Sequence, residues 1–196
     1  MIDLGKTYCI HRSKDEERYT RLVEELDRVN IDPVFVEPEK PIEKEYPKNM
    51  NSNMDSLRRT TIKLIENAIE KGYDKITIME DDCVFVDALW SMFIKSNLPD
   101  TFNFIHLNVT GREVNGAFNQ NEIYVPLFFG ECCQFYVIHN RIYSKYLELL
   151  KKHITPIDVI TSSIHRKERK SFRICNSPVR HIPNNYSTLR KEIVTY

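Results

Sequence analysis

The segment Lys75–Asp87, KITIMEDDCVFVD, constrains the fold more than any other stretch of the chain. An apolar run ends in three consecutive carboxylates, Glu80, Asp81 and Asp82, and a second apolar run follows at once. Such a strand delivers negative charge to one edge of a sheet, and in open α/β folds ligands bind in the crevice at the carboxyl ends of the strands. Clustered carboxylates repel one another and are costly to desolvate without a cation. A hard divalent ion such as Mg²⁺ or Mn²⁺ would supply that charge and could bridge to phosphate oxygens. In extended backbone Glu80 and Asp82 point the same way, while Asp81 points elsewhere. Taken alone, the triplet is equally compatible with a solvated acidic turn.

The surrounding pattern supplies the sheet. Thr7–Ile10 is short, apolar and β-prone, and runs into Ser13-Lys14-Asp15-Glu16, a capping-box pattern with Ser13 as cap and Glu16 reaching back. Tyr19, Leu22, Val23, Leu26 and Val29 follow at helical spacing, and Val34-Phe35-Val36 reads as a second strand. The chain therefore opens β–α–β, a parallel and right-handed unit. Residues 38–54 hold three prolines and three asparagines and predict a loop long enough to carry function. Asp55 is placed to cap a helix carrying Leu57, Ile62, Leu64, Ile65, Ala68 and Ile69, with Gly72 at its C-terminal cap.

Beyond the acidic triplet the pattern predicts a short helix over Ala88–Ile94 and a strand at Phe104–Leu107, then a polar, turn-rich stretch over 110–122. Tyr124–Phe129 and Gln134–His139 read as two strands separated at Gly130-Glu131. Arg141–Lys152 is a helix, Pro156-Ile157-Asp158 opens another, and Phe172–Cys175 is a last strand. Alternating β and α elements predict one α/β domain over residues 1–196, with a mostly parallel, Rossmann-like central sheet flanked by helices.

Composition closes off several classes. With 28 basic and 28 acidic residues, no global attraction to nucleic acid or anionic membrane is written into the total. The basic residues nonetheless concentrate late: 159–196 carries eight against two acids, which suits an anionic ligand or, equally, a solvated surface. No window approaches the roughly 18 apolar residues of a membrane span, and no signal-peptide run opens the chain. The five cysteines, odd in number and without a CxxC pair, point to reduced thiols in a cytoplasmic protein and away from structural zinc.

GYDKITIMEDDCVF resembles the strand and acidic motif of glycosyltransferases with the GT-A fold, in particular the lipopolysaccharide glycosyltransferase and collagen galactosyltransferase group, family 25. TYCIHRSKDEERYTRLVEELDRVNIDPVFVEP is similar to that group's opening strand, Arg-containing turn and first helix. SLRRTTIKLIENAIEKGYD lies where the group has a helix leading to the acidic motif. GECCQFYVIHNRIYSKYLELLKKHITPIDV resembles its strand–helix segment ending in Pro-[Ile/Val]-Asp. NSNMDSLRR stands where the group usually carries a Gly/Cys/Ser-His signature.

The resemblance implies a metal-dependent glycosyltransferase moving a sugar from a nucleotide diphosphate sugar, a UDP-sugar first among them, to a hydroxyl of a glycan or similar acceptor. Inversion is implied because the group inverts. Glu80 and Asp82 would hold Mn²⁺ or Mg²⁺ on the donor diphosphate, with Asp81 near the donor ribose or sugar. His181 would be an extra metal ligand, as a late histidine is in many GT-A enzymes. Asp158 is the counterpart of the group's late carboxylate and a candidate general base, with Glu131 the other candidate and helix capping the plain alternative for Asp158. His11 and Arg12 end the first strand, where GT-A enzymes place the nucleotide, and Arg58 and Arg59 are candidates for phosphate contact. Trp90, Phe128 and Phe129 fit core packing better than sugar stacking. The donor half would span about 1–110 and the acceptor half about 111–196. Two other activities fit the same residues: transfer to a modified nucleic-acid hydroxyl, and metal-dependent phosphohydrolysis drawing on Asp87 and His106.

Overall fold

The computed structural model describes residues 2–42, 45–113, 123–181, 185–187 and 192–194, with side chains left undescribed at 110–113, 131–133, 181, 185–187 and 192–194. In chain order the elements are β1 (Lys6–Ile10), α1 (Glu16–Val29), β2 (Val34–Val36), α2 (Ser52–Glu70), β3 (Lys75–Glu80), β4 (Cys83–Phe85) and α3 (Asp87–Phe93). There follow β5 (Phe104–Glu113), β6 (Tyr124–His139), α4 (Tyr143–Lys152), α5 (Ile157–Glu168), β7 (Ser171–Ile174), β8 (Val179–His181), β9 (Asn185–Ser187) and β10 (Glu192–Val194).

A six-stranded sheet in the order β2-β1-β3-β6-β5-β7 forms the centre. β1 pairs parallel with β2 and β3, and β5 parallel with β7. β6 is antiparallel to β3, β5 and β7, so it alone runs against the other five strands. The expected mostly parallel α/β sheet is the one observed. Two small antiparallel ladders, β4–β8 and β9–β10, lie outside it.

Strand alternation sorts the core into two layers. On one face Tyr8, Ile10, Ile76, Ile78, Phe104, Tyr136 and Ile138 pack under α2, α4 and α5 through Leu64, Ile65, Tyr146, Leu150, Ile160 and Ile164. On the other, Cys9, Met79, Ile105, Leu107, Phe135 and Val137 meet Leu22, Leu26 and Val29 of α1 and Trp90 and Phe93 of α3. Trp90 is a core side chain, its indole N–H donating to the Val29 carbonyl at 3.3 Å. Cys9 and Cys83 are buried free thiols, and Cys175 is a half-buried one. Gly5 turns the chain into β1 at φ +69°; a Cβ there would lie 2.3 Å from the Lys75 carbonyl oxygen, so only glycine lets β1 start beside β3.

Several local expectations change. The cap of α1 is Asp15, whose side chain accepts the Arg18 N–H at 3.3 Å; Ser13 instead donates its N–H to Glu37 Oε2 at 2.8 Å. The cap of α2 is Asn51, accepting the Met54 N–H at 2.9 Å, and Asp55 lies buried one turn further on. The two strands expected around Gly130 are one continuous strand, β6. Ser162 of α5 bonds both the Gly130 N–H (3.2 Å) and its carbonyl (3.0 Å), so the glycine marks close helix contact and not a break. β5 runs on to Glu113, past the expected end at Leu107, and β7 begins at Ser171, one residue before the expected Phe172.

Candidate active site

The triplet is not extended throughout: β3 ends at Glu80, and Asp81 and Asp82 form the turn to β4. Ile76, Ile78 and then Glu80 follow one face of β3, the face covered by α5. Glu80 ends that row close enough to Asp158, in the first turn of α5, for the two charges to act on each other. Burial first, then the charges of Asp82, Asp81 and Asp158, hold the Glu80 carboxyl well above its usual range, with Arg18 opposing them. The N-cap position of α5 is Pro156, so Asp158 is not the cap. Asp158 and Glu80 thus share one end of the sheet although they stand 78 positions apart in the sequence.

Asp81 goes the other way. Cys9 lies on the α1 face of β1, and His11, two residues on, follows it there. Asp81 Oδ2 lies 2.9 Å from His11 Nδ1, and Asp81 Oδ1 accepts from Arg18 Nη1 at 3.1 Å. Arg18 also pairs with Asp15, Nε to Oδ2 at 3.2 Å. Both oxygens of Asp81 are therefore engaged by the β1 and α1 residues, and the middle carboxylate ties the triplet to the first βα unit.

Above that tie a cleft of about 400 Å³ opens at the carboxyl ends of β1 and β2 and the start of α1, lined by His11, Ser13, Glu16, Tyr19, Phe35, Val36 and Glu37. Its rings touch: Tyr19 and Phe35 centroids are 5.1 Å apart and His11 lies 5.4 Å from Tyr19, in tilted and edge-on arrangements. Tyr19 and Phe35 are 44% and 36% exposed, so these apolar faces are open to a planar guest. Glu37 is an anion held below the usual carboxylate range, chiefly by the Ser13 N–H.

The remaining candidates scatter. Arg12 sits at the cleft's outer side and donates to Asn53 Oδ1 at 2.7 Å. Arg59 pairs with Glu39 at 3.9 Å on the loop after β2. Arg58 is no phosphate ligand: it is buried, bonds Asp55 Oδ1 at 2.7 and 3.1 Å, and donates to the Leu150 carbonyl, tying α2 to α4. His181 pairs with Cys83 in the β4–β8 ladder, so its backbone lies one residue beyond Asp82 in register; its side chain lies outside the described residues, as does that of Glu131. Asp87 pairs with Arg28 on α1, and His106 lies fully buried against Phe104, Tyr136 and His165. Among the described residues, a second metal's ligand set for phosphohydrolysis does not form around them. Sequence reading missed Arg18, Tyr19, Phe35, Glu16 and Glu37. Their signal was position, at the ends of the first βα unit.

The donor set of Glu80 and Asp82 is all oxygen, which suits Mg²⁺ or Mn²⁺. Among the described residues no three His, Cys, Asp or Glu side chains form a metal cage. Such a set fits a cation held by one or two carboxylates and completed by substrate phosphates.

No protein-family model matches the sequence, and no curated protein matches it significantly. Solved structures do. The Drosophila β1,4-galactosyltransferase 7, in a mutant complex with manganese, UDP-Gal and xylobiose, is similar with a TM-score of 0.51 at 10% identity, over 97% of this chain and 75% of that one. A197 from STIV gives 0.47 at 12% identity over 90% and 85% of the two chains. A glycosyltransferase involved in glycosylation of the major capsid of PBCV-1 gives 0.40 at 14% identity, with 76% of this chain matched to 65% of that one. The galactosyltransferase likeness, with the layered α/β architecture and the single reversed strand, defines a GT-A-like fold. No helix among the described residues is long and apolar enough to cross a membrane.

Proposed function

We propose that this chain is a nucleotide-sugar-dependent glycosyltransferase transferring a hexose to a hydroxyl acceptor. The observation that carries the proposal is the joining of an aromatic cleft to a carboxylate group through Asp81, whose His11 contact is a cleft wall and whose neighbour Glu80 lies on the α5 side within reach of the Asp82 and Asp158 charges. The nucleoside lies in the cleft between Tyr19 and Phe35. Its diphosphate then extends along the triplet toward Glu80 and Asp82, which would hold Mn²⁺ or Mg²⁺. When bound, that ion neutralises charge developing on the leaving diphosphate.

The chain's own residues do the rest. Asp81, fixed by His11 and Arg18, keeps the end of β3 in register with the cleft and lies toward the donor ribose. Asp158, across from Glu80, takes the proton of the acceptor hydroxyl as its oxygen attacks the anomeric carbon, which gives inversion; Glu131 is the other carboxylate for that task. Arg12 and Arg59 remain the candidates for contact with the donor nucleotide, and His181 the candidate extra metal ligand. The kinship with the lipopolysaccharide and collagen galactosyltransferase group rests on the sequence blocks around the triplet and the Pro-Ile-Asp turn.

A calorimetric titration with nucleoside diphosphates, with and without Mn²⁺, tests this. Saturable binding that strengthens with Mn²⁺, followed by slow release of free sugar from one nucleotide sugar, supports the proposal. Absence of binding by every nucleoside diphosphate with the cation present overturns it.

A further inference from the structure

β6 runs antiparallel beside β3, with Ile78 opposite Tyr136 and Met79 opposite Phe135. Carried one residue further, that register sets Gln134 opposite Glu80, the last residue of β3. Alternation assigns the faces. Tyr136 and Ile78 pack on the α5 side, Phe135 and Met79 on the α1 side, so Gln134 returns to the α5 side with Glu80. Directly opposed residues on one face of an antiparallel pair hold their Cβ atoms about 4.5–5.5 Å apart. The Gln134 main chain is also held against the turn that follows the triplet, its carbonyl accepting from Cys83 Sγ at 3.8 Å.

Gln134 is 9% exposed, and among the described residues its Oε1 is buried with no hydrogen-bond partner. An unpaired buried oxygen costs about 1–3 kcal/mol, which an apolar side chain at this position would avoid. The surroundings give the oxygen a use. The charges of Asp82, Asp81 and Asp158, added to burial, already hold the Glu80 carboxyl well above its usual range. A further carboxylate here would deepen that repulsion, whereas an amide oxygen offers lone pairs and no charge. Side-chain amide carbonyls are ordinary ligands of hard divalent cations, alongside carboxylates.

Resting on the metal-dependent glycosyltransferase reading, we propose that Gln134 Oε1 is a ligand of the divalent cation, a neutral oxygen contributed from β6 beside the carboxylates of Glu80 and Asp82. The protein's donor set is then two carboxylates and one amide, and the diphosphate and water complete the shell. The stability given up at the unpaired oxygen is the local cost that a binding site carries for its ligand.

The test compares the wild type with Gln134→Met and Gln134→Glu, reading Mn²⁺ uptake by electron paramagnetic resonance of the free ion and melting temperature with and without Mn²⁺. Methionine keeps the length of glutamine and removes the oxygen, so without cation Gln134→Met is expected to melt at or above the wild type. Its Mn²⁺ affinity is expected to fall about 10-fold or more, at least the loss seen when groups that merely support a metal ligand are removed. Gln134→Glu adds a charge to the cluster, so it is expected to melt lower at pH 7 without cation and to gain more from Mn²⁺. Because a ligand of the folded state stabilises by mass action, the Mn²⁺-induced melting shift should rank glutamate above wild type above methionine. Equal Mn²⁺ affinity in Gln134→Met and the wild type overturns the assignment and leaves the glycosyltransferase reading standing. Should Gln134→Met fail to fold, Gln134→Glu decides: a Mn²⁺-induced shift no larger than that of the wild type overturns the assignment. Absence of Mn²⁺ uptake by the wild type, alone and with every nucleoside diphosphate, overturns the metal-dependent reading itself.

Discussion

Replacing Asp81 with asparagine separates the middle carboxylate from its two neighbours in a way stability can measure. The Asp81 side chain is 12% exposed, its partners His11 and Arg18 are 6% and 16% exposed, and both contacts are short at 2.9 and 3.1 Å. Breaking a fully buried pair by removing one partner costs about 3–5 kcal/mol. Three features lower that figure here. Arg18 keeps Asp15 as a second partner, the asparagine oxygen still accepts from Arg18, and loss of one negative charge relieves repulsion on Glu80. What remains is mainly the weakened bond to His11 and the lost charge opposite a half-buried guanidinium, together about 1–3 kcal/mol on the scale of hydrogen bonds to charged groups. For a chain of this size each kcal/mol moves the melting temperature by about 2–4 °C. Asp81→Asn should thus melt a few to about ten degrees lower, and calorimetry or circular dichroism would read it. A double-mutant cycle with Arg18→Met should return a coupling of about 0.5–2 kcal/mol. A variant melting with the wild type, with no coupling to Arg18, would show that Asp81 is solvated and does not tie the triplet to the first βα unit.

Glu80→Gln should do the opposite. An acid whose folded pKa is raised costs stability as pH rises above its unfolded value near 4.5, because the unfolded state gives up the proton first, so the variant should melt higher than wild type at pH 7 without added cation, and equal or lower melting would refute the burial of that charge. Burial holds His106 well below its usual pKa and takes His165 down to about 3, so stability present above pH 6.5 should fall by up to about 1.4 kcal/mol per pH unit for each histidine as pH drops toward 3; denaturant titrations at stepped pH, with His165→Gln reducing the slope, would check it. Asp158→Asn should lower turnover about 10²–10⁴-fold and leave nucleotide affinity within a few-fold, and an equal loss in both would make it a donor-site residue and not the base.

The parts of the fold legible in the sequence are those that local periodicity controls. The strand before the triplet, the helix over Leu57–Ile69 with Gly72 behind it at φ +65°, and the first βα unit all follow from apolar spacing and end signals. What stayed hidden depended on partners far along the chain. The Ser13 capping box is a sound local pattern, but Glu37, 24 residues away, takes the Ser13 N–H and leaves capping to Asp15. Gly130 looks like a break until Ser162 of α5 is seen bonding both its main-chain groups. The β8 strand at Val179–His181 lies in what reads as a turn, because its sheet partner among the described residues is the three-residue β4. The site follows the same rule: the triplet is visible, and Asp158 is visible as a residue, but their meeting is a property of α5 packing on the face that Ile76 and Ile78 define.

That dependence on the two packed layers explains how one run of three acids can serve two ends. β3 ends at Glu80 and the chain turns at Asp81 and Asp82, so the triplet is shared between the α5 side, through Glu80, and the α1 side, through Asp81. On the α1 side a cation and an imidazole await Asp81, and the charge is neutralised within the protein. On the α5 side the strongest charge acting on Glu80 from beyond the triplet is another carboxylate, Asp158, and this repulsion is a charge deficit that a bound cation would relieve. A diphosphate alone would deepen that deficit, and a divalent cation alone would lack ligands to complete its shell. Only the two together balance the charge, so cation and nucleotide should bind with positive coupling, each tightening the other by the same factor. Independent binding of Mn²⁺ and nucleoside diphosphate would contradict this division of the triplet.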